Sequence, residues 1–155
     1  MTVATEAVVW DTVERYFDLL QAHADADVML AEVLTTDFRT GFPDGHVWEG
    51  PEGLREFLTT RSVFFDERHT LQQMSEPVRG ADGRWTCRTR LSFFLRRLAP
   101  GAAVSEEFSG LAWHTWVLEA RRPSWRVAAQ LVDGFANLND NARTLFSRPD
   151  EGLRT

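Results

Sequence analysis

A chain of 155 residues, 43% hydrophobic and 26% charged, has the size and composition of one folded domain with a full core. Its formal net charge of −6 argues against a nucleic-acid partner, which calls for a basic footprint, and no apolar run is long enough to span a membrane. All 17 basic residues are arginine and Cys87 is the single cysteine, which excludes a lysine Schiff base, an internal disulfide and a cysteine-rich zinc site. Residues 1–6 show no basic segment followed by an apolar one, so the cytoplasm is the expected location.

From Glu6 to Ala22 the apolar residues Val9, Val13, Phe17 and Leu20 recur at helical spacing, with Trp10 and Tyr16 beside them. Asp25 or Asp27 can cap a second, shorter helix holding Val28, Met29, Val33 and Leu34. Asp37–Thr40 and His46–Glu49 read as short strands around the turn signal Pro43-Asp44-Gly45. Gly50-Pro51-Glu52 opens a third helix that buries Leu54, Phe57 and Leu58. The periodicity then changes to alternation. Strands are expected at Arg68–Val78, Trp85–Leu98, Glu106–Leu118 and Trp125–Asp133, separated by turn-like segments at 80–83, 99–101 and 121–124. Helices followed by an antiparallel sheet make an α+β layout, read as a single domain over 1–155 with its core at about 8–146 and a short C-terminal tail.

Register is readable for one strand pair. Trp85, Cys87, Leu91, Phe93 and Leu95 form one apolar set, and Phe108, Gly110, Ala112, His114, Trp116 and Leu118 form another. Placing both sets on one face fixes the pairing, because a one-residue slip turns every side chain over. It brings Arg96 beside Glu107 and Arg90 beside Trp113 on the other face. That outer face also carries Phe94, Leu111 and Val117, too apolar for a solvated sheet, so a homodimer through it is expected. On the inner face the small residues Gly110 and Ala112 leave volume for a ligand cavity under the helices.

The order of elements, together with Glu14-Arg15-Tyr16-Phe17, Thr36-Asp37-Phe38, Trp48 through Leu54, Arg68-His69-Thr70 and Trp125-Arg126-Val127, resembles the nuclear transport factor 2-like superfamily, in its SnoaL-like branch. The resemblance runs from about Val8 to Phe146 and implies a cone-shaped α+β roll with three N-terminal helices on a curved antiparallel or mixed sheet. Its relatives include polyketide cyclases, scytalone and bile-acid dehydratases, ketosteroid isomerase and epoxide hydrolases, so fold alone selects no activity.

Carried over by resemblance, His69 matches the dehydratases' acid–base histidine and Tyr16 the helix-one tyrosine that bonds a substrate oxygen. His114 falls near the isomerase's second oxyanion-hole acid, and Asp133 resembles the carboxylate at the end of the last strand in the cyclases. The isomerase's basic aspartate would fall near Gly41, and the epoxide hydrolases' arginine–aspartate strand motif is absent. Val132-Asp133, Leu138 to Asn141 and Leu145-Phe146 also resemble the small subunits of ring-hydroxylating dioxygenases, which support a catalytic partner.

The expected function is therefore a cofactor-independent lyase or isomerase, a cyclase or dehydratase acting on an apolar, oxygenated polyketide- or terpenoid-like molecule in secondary metabolism. His69 would be the base, Tyr16 the oxyanion donor and Asp133 an orienting or second acid–base group. His114, Trp116, Phe108, Phe57 and Trp48 would bind substrate, with no metal. The alternative is a non-catalytic binding or assembly subunit. An iron site formed by His69, His114 and Asp133 is conceivable on residue type alone. The orientation of His69 is conditional. A two-residue turn at Asp82-Gly83 with straight pairing puts it on the Arg96 face, and one bulge near Pro77 turns it inward.

Overall fold

In the computed structural model, which describes residues 3–146, the chain opens with α1 (Val3–Gln21). Val9, Val13, Tyr16, Phe17 and Leu20 form its buried stripe. Helix α2 (Ala26–Glu32) starts behind Asp25, whose Oδ1 accepts the Val28 amide at 2.9 Å. It stops before Val33 and Leu34, which were expected inside it. Leu34 instead begins β1 (Leu34–Gly41), where the segment Leu-Thr-Thr suits a pleated strand better than a helix.

Strand β2 (Val47–Glu49) pairs back on β1, and the Phe42 amide donates to the His46 carbonyl at 2.9 Å across the turn. Helix α3 (Gly50–Arg61) follows with Pro51 in its first turn. The remaining chain forms β3 (Phe64–Met74), β4 (Val78–Arg79), β5 (Trp85–Arg97), β6 (Glu106–Glu119), β7 (Arg126–Ala136) and α4 (Asp140–Phe146). The sheet runs β2-β1-β7-β6-β5-β3, with β4 also on β5. Among the described residues only β1 and β7 pair in parallel, which makes the sheet mixed. This is the cone-like α+β roll, with a fourth helix at its C-terminal side. The tail expected after residue 146 lies outside the described residues.

The register of β5 on β6 is the one the alternation predicts, with Leu91 opposite Ala112, Phe93 opposite Gly110 and Arg96 opposite Glu107. Arg96 Nη1 meets Glu107 Oε1 at 2.8 Å on the outer face. Arg90 stands opposite Trp113 as expected, while its Nε donates to Gln72 at 3.1 Å. Phe94 receives cations, with Arg68 and Arg96 at 4.9 and 5.1 Å from its ring centre.

His69 sits opposite Phe93 and therefore faces inward. The Gly80 amide donates to the Arg84 carbonyl at 2.7 Å, closing a loop of three residues, Ala81–Gly83, rather than two. An extra residue between Met74 and Val78, and another at Gln72, then shift the β3 register twice. Those two shifts cancel in parity, so the longer loop decides the orientation.

Two glycines permit close approach of neighbouring segments. A Cβ on Gly110 would come within 2.5 Å of Leu138 Cδ2 and 3.1 Å of the Ala136 carbonyl. The volume at Gly110 thus belongs to the chain leading into α4, and only Ala112 contributes to the cavity as expected. Gly41 has φ +137, and a Cβ there would stand 2.3 Å from the His46 carbonyl oxygen. Gly41→Ala should therefore cost roughly 2–4 kcal/mol, strain and clash together, seen as a lower urea midpoint at unchanged slope.

Candidate active site

Helices α1, α3 and α4 and the concave sheet face surround a cavity of about 70 Å³ that opens to solvent at one side. Its wall is mainly apolar and includes Phe17, Phe42, Phe57, Phe93, Phe135 and Phe146. Five polar side chains interrupt it: Thr40, Arg61, His69, His114 and Gln130.

His69 stacks on Phe17, with ring centres 4.5 Å apart and planes 10° from parallel. Gln21 Oε1, at the end of α1, accepts the His69 backbone amide at 2.6 Å and stands 3.0 Å from Nδ1. An oxygen already bound to an N–H donor forces Nδ1 to be the protonated ring nitrogen. Nε2 is then the lone-pair nitrogen. Burial, the Arg61 charge and His114 all hold the pKa well below the ordinary 6.5, so the ring is neutral at neutral pH.

His114 has the opposite tautomer. The Gln130 carboxamide accepts from the Thr40 hydroxyl at 2.7 Å and from the Tyr16 hydroxyl at 3.3 Å, both through Oε1. Its Nε2 is thereby the donor, 3.1 Å from His114 Nδ1. The proton of neutral His114 therefore resides on Nε2. Burial, with a further contribution from Arg61, pushes this histidine down to about 3. One neutral imidazole is thus a hydrogen-bond acceptor and the other a donor.

Arg61 ends α3 with only 8% of its surface exposed. Its Nη2 binds Glu67 Oε1, and Glu67 Oε2 stands 2.9 Å from His23 Nε2. Burial lowers the guanidinium to about 10, which still leaves it charged at neutral pH.

The expected site residues divide. His69, His114 and Phe57 line the cavity. Tyr16 does not reach it; its hydroxyl is committed to Gln130, and burial raises it to about 12. Trp116 packs edge-on against Tyr16 and Phe17, with its indole N–H on Thr89 at 2.8 Å. Trp48 packs on Phe57 and His46, and Phe108 on Phe64 and beneath Arg97, so both are core residues rather than cavity wall.

Asp133 is a correction. A register shift in β7 between Val132 and Gly134 makes it the extra residue of a bulge. Its Oδ2 accepts from Thr115 at 2.7 Å and meets Arg88 at 3.3 Å on the outer face. It can neither orient His69 nor complete an iron site, and among the described residues no cluster of metal ligands occurs. Arg61, Gln130, Thr40 and Gln21 were not foreseen, because polar residues in a helix or strand read as solvent-facing until the neighbours are known. Buried Cys87, its thiol pushed up to about 12 by desolvation, is a core residue and not a nucleophile.

No family model and no curated protein sequence matches the chain. Solved structures do. ActVI-ORFA from Streptomyces coelicolor superposes with a TM-score of 0.65 at 14% identity, over 86% of this chain and 98% of its own. A provisionally assigned scytalone dehydratase from Novosphingobium aromaticivorans gives 0.72 at 10% identity, over 89% and 88%. A protein from the same organism described as an aromatic ring hydroxylase gives 0.68 at 18% identity, over 92% and 99%. The chain has the nuclear transport factor 2-like fold that these structures share. No helix among the described residues is long and apolar enough to cross a membrane.

Two neutral histidines, His114 buried and His69 partly buried in the cavity wall, tie stability to pH. Each has a folded-state pKa below its unfolded value, so as pH falls the unfolded chain takes up protons that the native state refuses. Their contribution is complete above about pH 6.5 and is lost below it, at about 1.4 kcal/mol per pH unit for each histidine. Urea midpoints should therefore fall steadily from pH 7 to pH 5, and His114→Gln should halve that slope.

Proposed function

We propose that this chain is a cofactor-independent lyase or isomerase that moves a proton on an apolar, oxygenated small molecule of polyketide or terpenoid type. The observation that carries the reading is the pair of neutral histidines of opposite tautomer in one apolar cavity. A proton abstraction beside a carbonyl needs an acceptor for the proton and a donor for the oxygen that gains charge. His69 Nε2 supplies the first and the His114 Nε2–H the second.

His69 takes the α-proton, and the C–H electron pair moves into the carbonyl, making an enolate whose oxygen His114 holds. Collapse of the enolate expels a β-hydroxyl, which leaves as water with the proton from His69. Return of that proton to another carbon would instead give isomerisation, and attack by the enolate carbon on a second carbonyl would give cyclisation, the carbonyl π pair moving to oxygen and taking the proton from His69. Tyr16 acts one step removed, by fixing the Gln130 carboxamide and through it the His114 tautomer.

Exchange at C1 of 2-tetralone in D₂O, followed by proton NMR, tests the reading without the natural substrate. The protein should accelerate exchange, His69→Gln should lose at least about a hundredfold, and Tyr16→Phe about tenfold or less. Equal exchange by His69→Gln would remove the assignment. Absence of exchange by the unaltered protein would favour the alternative, a non-catalytic binding or assembly subunit.

We also propose a homodimer through the outer sheet face. Leu111, Trp113 and Val117 remain half-buried there, and pairing two copies would cover them. Sedimentation at micromolar concentration should give twice the 17.7 kDa chain mass. A monomer would refute this pairing.

A further inference from the structure

Arg61 also faces the cavity, and the proton transfer proposed above does not use it. A guanidinium carries five N–H donors in a planar fork. Nη2 to Glu67 is the one hydrogen bond Arg61 makes among the described residues, and its Nε is buried with no partner. The Phe57 ring, 5.6 Å from the guanidinium carbon, packs against it without satisfying a donor. Burying a cation with donors unmet is unfavourable unless an acceptor arrives from elsewhere. Glu67 leaves the Arg61 Nε unmet, because one of its oxygens is held by Nη2 and the other, 2.9 Å from His23 Nε2, makes no hydrogen bond to Arg61.

The position of the charge sharpens the point. Arg61 lies close enough to His69, His114 and Tyr16 for its cation to lower all three. Glu67 pairs with the guanidinium from outside the cavity lining, so the side of Arg61 that meets the cavity is its cationic one, which disfavours the imidazolium that proton abstraction must form. An anion bound to Arg61 would cancel that effect.

We propose that Arg61 binds a carboxylate of the substrate, so that the molecule taken is an apolar carboxylic acid, held by its carboxylate while its reacting carbon lies against His69. The inference rests on reading this cavity as the substrate site. The planar fork fits a carboxylate edge through parallel N–H···O bonds. Substrate binding then raises the basicity of His69 at the moment it is needed, so a neutral molecule in the cavity still reacts at His69, but more slowly than an acid of the same shape. His114 and Tyr16 face the same region, and Glu67 with His23 lies behind the guanidinium.

Calorimetric titration of the full chain with 2-naphthoate and with 2-naphthamide, its neutral isostere, tests the assignment. The carboxylate should bind at least tenfold more tightly. The double variant Arg61→Met/Glu67→Gln removes both buried charges together, so it leaves no orphaned ion to prevent folding, and it should abolish the preference. On the unaltered protein, histidine NMR should show the His69 pKa rising when 2-naphthoate is bound. Equal affinity for the two probes, no naphthoate binding, or a preference that survives in the double variant would overturn the proposal. Exchange of 2-tetralone separates the two readings. His69-dependent exchange without a naphthoate preference rejects only the carboxylate site, whereas naphthoate preference without such exchange rejects only the proton transfer.

Discussion

The Gln130 carboxamide is a junction of α1, β1, β6 and β7, since its oxygen receives Tyr16 and Thr40 while its nitrogen gives to His114. Gln130 is 5% exposed, so none of these groups has water as a substitute. Each buried polar group deprived of its partner costs about 1–3 kcal/mol, and loss of this one side chain would strand three. The same bonds set a chemical property. Because both hydroxyls occupy the oxygen, the amide nitrogen must face His114, and a neutral imidazole that accepts at Nδ1 must carry its proton at Nε2. Structural and chemical demands are met by one set of atoms.

His69 repeats the arrangement with a different support. Gln21 holds both the backbone and the ring of that residue from the end of α1, which links the helix to the strand across the open side of the cone. Phe17, one helical turn earlier, closes one face of the imidazole by stacking. A histidine pinned in this way loses rotamer freedom before any ligand binds, which is the preorganisation a proton acceptor needs. The cost appears elsewhere, in two histidines that cannot take a proton as the unfolded chain can, and in a buried cation balanced by Glu67.

Much of the fold was readable in the residues because alternation and helical spacing are local signals. Trp85–Leu98 and Glu106–Leu118 carried their own register, and the structure keeps it pair by pair. The orientation of His69 was not readable in the same way. It depends on one residue of loop length at Gly80–Gly83 and on two shifts in β3, and no side-chain pattern reports these. Asp133 failed for a related reason, since a bulge at that residue hands the inner face from Val132 to Phe135 and leaves the carboxylate outside. Helix α4 is a short element held by Ala142, Leu145 and Phe146, too brief to produce a periodic signal. Arg61 and Gln130 look like solvent-facing residues in sequence and become site residues only when three helices and a sheet enclose them.

Gly41 bears on why the proposed proton acceptor and donor lie on β3 and β6 rather than on β1. The resemblance places an isomerase-type aspartate near this position, yet the φ of +137 and the His46 carbonyl 2.3 Å from any Cβ exclude a side chain there. A base must then come from across the cavity, and the residue available is an imidazole rather than a carboxylate. The difference matters in an enclosed space. A carboxylate becomes neutral when it takes a proton, whereas an imidazole becomes charged and is penalised by burial and by Arg61. In the proposed reaction the imidazolium is therefore short-lived and returns its proton readily. That behaviour suits an elimination, in which the proton leaves with the departing hydroxyl, better than a base that retains what it has taken.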